Sequence, residues 1–105
     1  MGTYVATFNV SPRLREGNLQ RVKSGGGNAW PEDVRPVMQS HLDYVKGLKA
    51  EGKILVGGPM VDFDWVLIIY RADALDGAVM LAENDPAYKN GLFIDCRVVP
   101  WHHAV

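Results

Sequence analysis

A single histidine, His41, interrupts the apolar face of a predicted amphipathic helix. The apolar positions of this helix are Val34, Val37, Met38, Leu42, Val45 and Leu48. Their three- and four-residue spacing is typical of a helix that buries one side. An imidazole on such a face is either a hydrogen-bonded structural group or a proton-transfer group at the centre of a site. Both interpretations fit the spacing.

Asp85 is the carboxylate best placed to meet His41. It precedes Pro86, and the residue before a proline avoids helical backbone, so a second helix should end at this corner. If the two helices lie side by side on one sheet, Asp85 can face His41. A carboxylate bonded to one imidazole nitrogen fixes the tautomer of the ring, which leaves the other nitrogen to move a proton.

Other motifs with known chemistry fit the sequence poorly. The run Gly25-Gly26-Gly27 neither follows a strand directly nor carries the lysine and hydroxyl of a phosphate-binding loop. His102 and His103 lack further ligands at metal spacing, so no metal site is expected. Cys96, the one cysteine, is expected to be a small core residue rather than a nucleophile.

Length and charge predict the class of protein. A chain of 105 residues suits one hydrophobic core, so we expect a single domain over residues 1–105. The net charge of −1 argues against a nucleic-acid partner. No segment reaches the roughly 18 apolar residues of a membrane span, and the first residues do not resemble a signal peptide. With its one cysteine, the chain fits a reducing compartment, and we expect a cytoplasmic protein without a membrane partner.

The hydrophobic pattern predicts four strands and two main helices. Strands are expected over residues 3–10, 53–57, 65–70 and 92–101, and helices over about 33–51 and 74–84. Asp73 is predicted to cap the second helix, with Asp76 three residues later. The order strand, helix, strand, strand, helix, strand predicts an α+β, ferredoxin-like split βαβ fold. Its four-stranded, mainly antiparallel sheet would carry both helices on one face.

The opposite face of the sheet is predicted to be partly apolar. Strict alternation along the last strand places Phe93, Val99 and Trp101 there, beside Asp95 and Arg97. An uncovered apolar face invites association, so we expect a homodimer whose two sheets meet face to face.

A glycine- and proline-rich segment separates the first strand from the first helix. Residues 11–33 are expected to form a long loop, with at most a short helical turn near residues 14–22. This segment holds Arg13 and Trp30. It fits either a solvated surface loop or a lid that closes Trp30 or an arginine over an anionic small molecule.

Several short motifs resemble, in their order and spacing, the YCII-related (YciI-like) family. They are His41-Leu-Asp-Tyr-Val-Lys46, Gly52-Lys-Ile-Leu-Val-Gly-Gly-Pro59, Ala82-Glu-Asn-Asp85-Pro86, Gly91 and Arg97-Val-Val-Pro-Trp101. The resemblance implies a dimeric α+β barrel, similar to muconolactone isomerases. It further implies a His41–Asp85 active-site dyad in a cleft bordered by Gly58 and Pro59. Members with a known reaction include a cofactor-independent dehydrochlorinase that acts on a chlorinated hydroxyquinol in aromatic catabolism.

These features predict a cofactor-independent lyase or isomerase in which His41, oriented by Asp85, moves a proton on a small cyclic substrate. The Gly58 amide is predicted to donate to developing negative charge, beside Pro59. Arg13 and Trp30 are the predicted lid contacts, and Tyr88 a hydroxyl behind the dyad. The alternative is a non-catalytic dimeric ligand-binding or accessory protein. A haem-degrading or quinone-forming monooxygenase of similar barrel fold is a third option.

Overall fold

The computed structural model describes residues 1–105 and contains one four-stranded sheet and four helices. In chain order the elements are β1 (Gly2–Val10), α1 (Pro12–Lys23), α2 (Arg35–Ala50), β2 (Ile54–Pro59), β3 (Trp65–Ala72), α3 (Leu75–Glu83), α4 (Pro86–Lys89) and β4 (Phe93–Trp101). The strand order is β2-β3-β1-β4, and every neighbouring pair is antiparallel. This arrangement confirms the predicted ferredoxin-like fold. None of the helices has both the length and the apolar character needed to cross a membrane.

Alternation along β1 decides which face of the sheet is buried. Ala6 and Phe8 have no exposed surface, and their β3 partners, Ile68 and Val66, are buried with them. These side chains form one core with apolar residues of α2 and α3. The intervening Thr7 is partly exposed, because odd-numbered residues of β1 point to the other face. Helices therefore cover one face of the sheet and leave the other open.

Helix α2 follows its sequence pattern closely. Pro36 lies in the first turn, where a missing N–H removes no helical hydrogen bond. Gly52 follows the helix end with φ of 76°, the left-handed conformation that glycine adopts without strain. Met38, His41 and Leu48 are buried, so the predicted apolar face, with its histidine, lies against the core.

The segment over residues 11–33 differs most from its prediction. In place of a long loop with a short turn, it holds the regular 12-residue helix α1. The Ser11 hydroxyl caps this helix by accepting from the Leu14 amide at 3.1 Å, and Pro12 occupies the first turn. Buried Gly17 lets α1 approach Val34 closely. Glycine and proline usually indicate a loop, and composition alone therefore predicted one. In this segment Pro12 and Gly17 lie at positions where a helix accepts them.

The start of α3 also differs from its prediction. The helix is capped by Ala74 without a side-chain hydrogen bond, so Asp73 does not act as the cap. Asp76 instead accepts a hydrogen bond from the amide of Gly77 at 3.0 Å. Since Asp76 lies in the first turn of α3, its charge still complements the positive end of the helix dipole.

A bulge breaks the predicted alternation of β4. The register with β1 shifts between Thr7 and Asn9, and Asp95 adopts a φ of 52°. The Asp95 carboxylate accepts a hydrogen bond from the side-chain amide of Asn9 at 3.0 Å. One extra residue in a strand turns the side chains beyond it to the opposite face. Phe93 is consequently buried on the helical face and not on the open face as predicted. Cys96, predicted to be a core residue, is partly buried against the same core.

Candidate active site

His41 and Asp85 form a buried hydrogen-bonded pair. The His41 Nδ1 atom lies 2.8 Å from Oδ1 and 2.9 Å from Oδ2 of Asp85. The Asp85 carboxylate has no exposed surface, and His41 is 8% exposed. An ionised carboxylate only accepts hydrogen bonds, so Nδ1 carries a proton and the second ring nitrogen, Nε2, is left for other partners.

Helix α4 holds Asp85 in place. Asp85 is the cap of this short helix, and its Oδ1 accepts a hydrogen bond from the Ala87 amide at 2.9 Å. Pro86 occupies the first turn of α4, as helices favour. The sequence placed Asp85 only at the negative end of α3. The structure places it also at the positive end of α4, which favours a carboxylate there.

An aromatic ring packs against the His41 imidazole in a T-shaped arrangement. The ring of Phe93 lies 4.9 Å from that of His41, centroid to centroid, with the two planes 72° apart. Phe93 in turn packs against Phe8 at 5.2 Å. This contact depends on the β4 bulge, because without it Phe93 would point to the open face.

Two tyrosines near Asp85 keep their protons at neutral pH. Burial raises the pKa of Tyr44 and Tyr70, and the charge of Asp85 raises both further. The Tyr44 hydroxyl donates to the Leu81 carbonyl at 2.7 Å. The Tyr70 hydroxyl is fully buried and has no hydrogen-bond partner within the protein. Neither phenol is suited to act as a base at neutral pH.

A cavity of about 240 Å³ borders the His41 ring. Its apolar wall includes Leu14, Trp30, Met38, Phe63, Val66 and Phe93. Its polar side chains are those of Asn18, Arg21 and His41. A dry apolar cavity of roughly 150 Å³ is enough for benzene, so this cavity suits a ligand built on one substituted ring.

Three of the predicted binding residues line this cavity. Gly58 and Pro59 form part of its wall, as does Trp30, which is 5% exposed and whose indole N–H donates to Asn18 at 2.9 Å. Trp30 is thus a buried part of the cavity wall in this structure, and its predicted role as a lid contact stays a prediction. His41, Gly58 and Pro59 also line a second cavity of about 280 Å³, to which Lys46 and Lys49 contribute positive charges.

Two predicted binding residues lie away from the cavity. Arg13 is bound on the protein surface, where its Nε donates to Asp33 at 2.7 Å, and the carboxylate keeps the pKa of Arg13 above its ordinary value. Its position two residues into α1 directs it outward. Tyr88 packs against Phe8 with ring centroids 6.0 Å apart and lines neither cavity beside His41.

Sequence reasoning missed the residues that α1 contributes. Asn18 and Arg21 stand one turn apart on this helix, and both face the cavity. Their i, i+3 spacing, with Leu14 one turn earlier, is a helical signal that the glycine-rich surroundings concealed. The cavity therefore receives its charged side chain from α1, at Arg21, and not from Arg13, the predicted lid contact.

The chain is similar to known proteins in both structure and sequence. The chain is similar to 5-chloro-2-hydroxyhydroquinone dehydrochlorinase (TftG) from Burkholderia phenoliruptrix AC1100, whose structure was solved in complex with 2,5-dihydroxybenzoquinone. The TM-score is 0.63 at 25% sequence identity, and the match covers 97% of this chain and 95% of that one. Comparison with curated protein sequences gives no match. The model of the YCII-related domain matches residues 17–102, so the chain belongs to the YCII-related family.

Proposed function

We propose that the protein is a small-molecule enzyme in which His41, oriented by Asp85, moves a proton on a single-ring substrate. The observation that carries this proposal is the buried hydrogen-bonded pair at the edge of a ring-sized cavity. A group positioned for proton transfer needs one nitrogen held and the other accessible to substrate. Likeness to a dehydrochlorinase over nearly the whole of both chains supports an enzyme over a purely structural role for the pair.

The chemistry we assign to the site begins with a tautomerisation. Nε2 of His41 takes a hydroxyl proton from a hydroxylated ring and delivers it to a ring carbon, so that a ketone forms and the imidazole returns to its starting state. If that carbon bears chlorine, chloride then leaves with its bonding electron pair as a second hydroxyl proton is lost. The net loss is HCl, the product is a quinone, and no oxidant is required.

Negative charge develops on the ring oxygen as its proton leaves. Gly58 borders the same cavity and belongs to β2, an edge strand of the sheet. Gly58 pairs with Leu67, two residues from the Met60 amide that donates to the Trp65 carbonyl. Bonded pairs alternate along an antiparallel ladder, so the Gly58 amide faces β3, and we assign Gly58 to the cavity wall and not to stabilisation of this oxygen. Isomerisation and elimination share this first step, so the same groups serve either outcome.

The probe that tests the proposal is 5-chloro-2-hydroxyhydroquinone, with chloride release and quinone absorbance as the readouts. We expect catalytic turnover by the purified protein without an added cofactor. A ligand-binding or accessory protein would instead bind 2,5-dihydroxybenzoquinone saturably and release no chloride above the uncatalysed rate. That result would favour the non-catalytic alternative over the enzyme.

We propose, in addition, that the protein is a homodimer formed through the open face of the sheet. Val56, Ile69, Val5 and Val99 form one continuous row across all four strands on that face. Val56 is 54% exposed and Val99 37% exposed at the two ends of the row. A second copy of the same sheet offers a matching apolar row, as an interface with two-fold symmetry requires.

A further inference from the structure

We infer that Arg21 is the anion-binding residue of the cavity beside His41, and that the cavity takes single-ring oxyanions. The inference rests on the proposed function only in using the same cavity. Besides His41, Arg21 is the one titratable side chain among the residues that line this cavity. A guanidinium in a mostly apolar wall supplies both orientation and selection for charge.

Arg21 is held in position from two sides. Its guanidinium carbon lies 4.4 Å from the centroid of the Trp30 ring, a distance at which the ring face attracts a cation. Its Nε donates to the Gly27 carbonyl at 2.6 Å. The side chain is therefore fixed before any ligand arrives, which lowers the entropy that binding must overcome.

The glycine-rich turn completes this support. Gly25, Gly26 and Gly27 have φ values of 94°, 84° and 61°, a left-handed run that other residues adopt only with strain. The turn brings the Gly27 carbonyl to the Arg21 side chain, and the Gly26 amide donates to the Arg21 carbonyl at 2.9 Å. Three consecutive glycines thus shape the turn that orients one arginine.

The charge of Arg21 has no counter-ion within the protein. Arg13 and Arg15 of the same helix pair with Asp33 and Asp64, whereas Arg21 forms no ion pair. Its two terminal amino groups make no hydrogen bond to the protein. Two parallel N–H groups suit the two oxygens of a carboxylate, and one suits a phenolate. A flat ring carrying either oxyanion fits the volume, the apolar wall and the charge.

The test compares two ligands of one shape and different charge, benzoate and its neutral isostere benzamide, by calorimetric titration. We expect the wild-type protein to bind benzoate more tightly. In Arg21→Gln, benzoate affinity should fall by roughly 10- to 100-fold, the range for a hydrogen bond to a charged group, while benzamide affinity stays the same. A third titration with 4-nitrophenolate shows whether a phenolate serves as well as a carboxylate.

Arg35→Gln is the matched control. Arg35 also binds the turn, through the carbonyls of Asn28 and Trp30 at 2.9 Å and 2.8 Å, but it does not line the cavity. This variant should bind benzoate within about twofold of wild type. If Arg21→Gln does not fold, Arg21→Lys keeps the test open, because it retains the charge and should still prefer benzoate.

Two results would overturn the inference. One is equal weakening of benzoate and benzamide in Arg21→Gln, which would mean that Arg21 only supports the turn. The other is that the wild-type protein binds neither benzoate nor 4-nitrophenolate. Both readouts are binding measurements, so they are independent of whether His41 supports turnover.

Discussion

His41 Nδ1 lies within 2.9 Å of both carboxylate oxygens of Asp85, and one of those oxygens also accepts the amide hydrogen bond of Ala87. The Asp85 carboxylate therefore has two roles: it caps α4 and it orients the His41 imidazole. A change at Asp85 should affect turnover through the ring and stability through the helix cap. These two effects can be measured separately.

Asp85→Asn should lower turnover much more than it lowers stability. The amide oxygen can still accept from Ala87, but the amide group no longer fixes which nitrogen of His41 carries the proton. We expect kcat for chloride release to fall by about 10²–10⁴-fold, the usual contribution of a positioned acid–base group. Circular dichroism should show a folded variant. Turnover close to wild type would show that Asp85 serves the helix cap alone.

Local rules could predict where His41 and Asp85 lie in the chain's elements, whereas their pairing as a dyad was implied mainly by the resemblance to the YCII-related family. Helical periodicity puts His41 on the buried face of α2, and Pro86 forces the chain to turn at Asp85. The role of Phe93 could not be predicted in this way. It depends on a bulge at Asp95, where a non-glycine residue takes a left-handed φ that tertiary contacts impose.

Arg21 escaped prediction for a different reason. Glycine and proline normally indicate loops, and α1 uses Pro12 and Gly17 at positions where a helix accepts them. The cavity wall that α1 forms then depends on how α1 docks against α2. Residue spacing carries little information on that docking, so the sequence suggested Arg13 instead.

Tyr44, which is partly buried, and Tyr70, which is fully buried, should respond differently to loss of the hydroxyl. Tyr44→Phe removes the hydrogen bond to the Leu81 carbonyl and should lower the free energy of unfolding by about 1 kcal/mol. Tyr70→Phe removes a buried hydroxyl without a protein partner and should leave that free energy unchanged or raise it by about 1 kcal/mol. Urea denaturation measures both. A clear loss of stability in Tyr70→Phe would indicate a hydrogen bond to buried water.

Cys96 should react slowly in the native protein. Burial raises the pKa of its thiol from 9.0 to about 11, and the charges of Glu83 and Asp85 add to the shift. Because only the thiolate reacts, alkylation by iodoacetamide at pH 8 should be on the order of 100-fold slower than in denaturant. Equal rates in the two states would contradict this environment.

The raised pKa of the Cys96 thiol predicts that the protein loses stability at alkaline pH. The pKa of Cys96 is higher in the folded protein than in the unfolded chain, so folding opposes loss of the thiol proton. The contribution of this thiol to the free energy of unfolding is therefore complete below pH 9 and declines as the pH rises toward 11. Cys96→Ser lacks this titration and should lose less stability over that window. The raised pKa of Tyr70 acts in the same direction at higher pH.

The open sheet face should control oligomeric state. Light scattering is expected to give the mass of two chains of 11.6 kDa each. Val99→Lys places a charge in the apolar row and should shift the protein toward monomer. Val61→Lys is the control, since Val61 is 99% exposed outside the sheet and should leave the mass unchanged. A monomer mass for the wild type at micromolar concentration would refute the dimer.

The most direct test of the central claim is turnover by His41→Gln, which keeps a polar side chain but cannot act as an acid or base near neutral pH. The measurement is chloride release from 5-chloro-2-hydroxyhydroquinone, with binding of 2,5-dihydroxybenzoquinone as the check on an intact cavity. We expect the variant to bind this ligand and to lose at least about 10²-fold in kcat. A folded His41→Gln variant that releases chloride at the wild-type rate would contradict the assignment of His41 as the proton-transfer group.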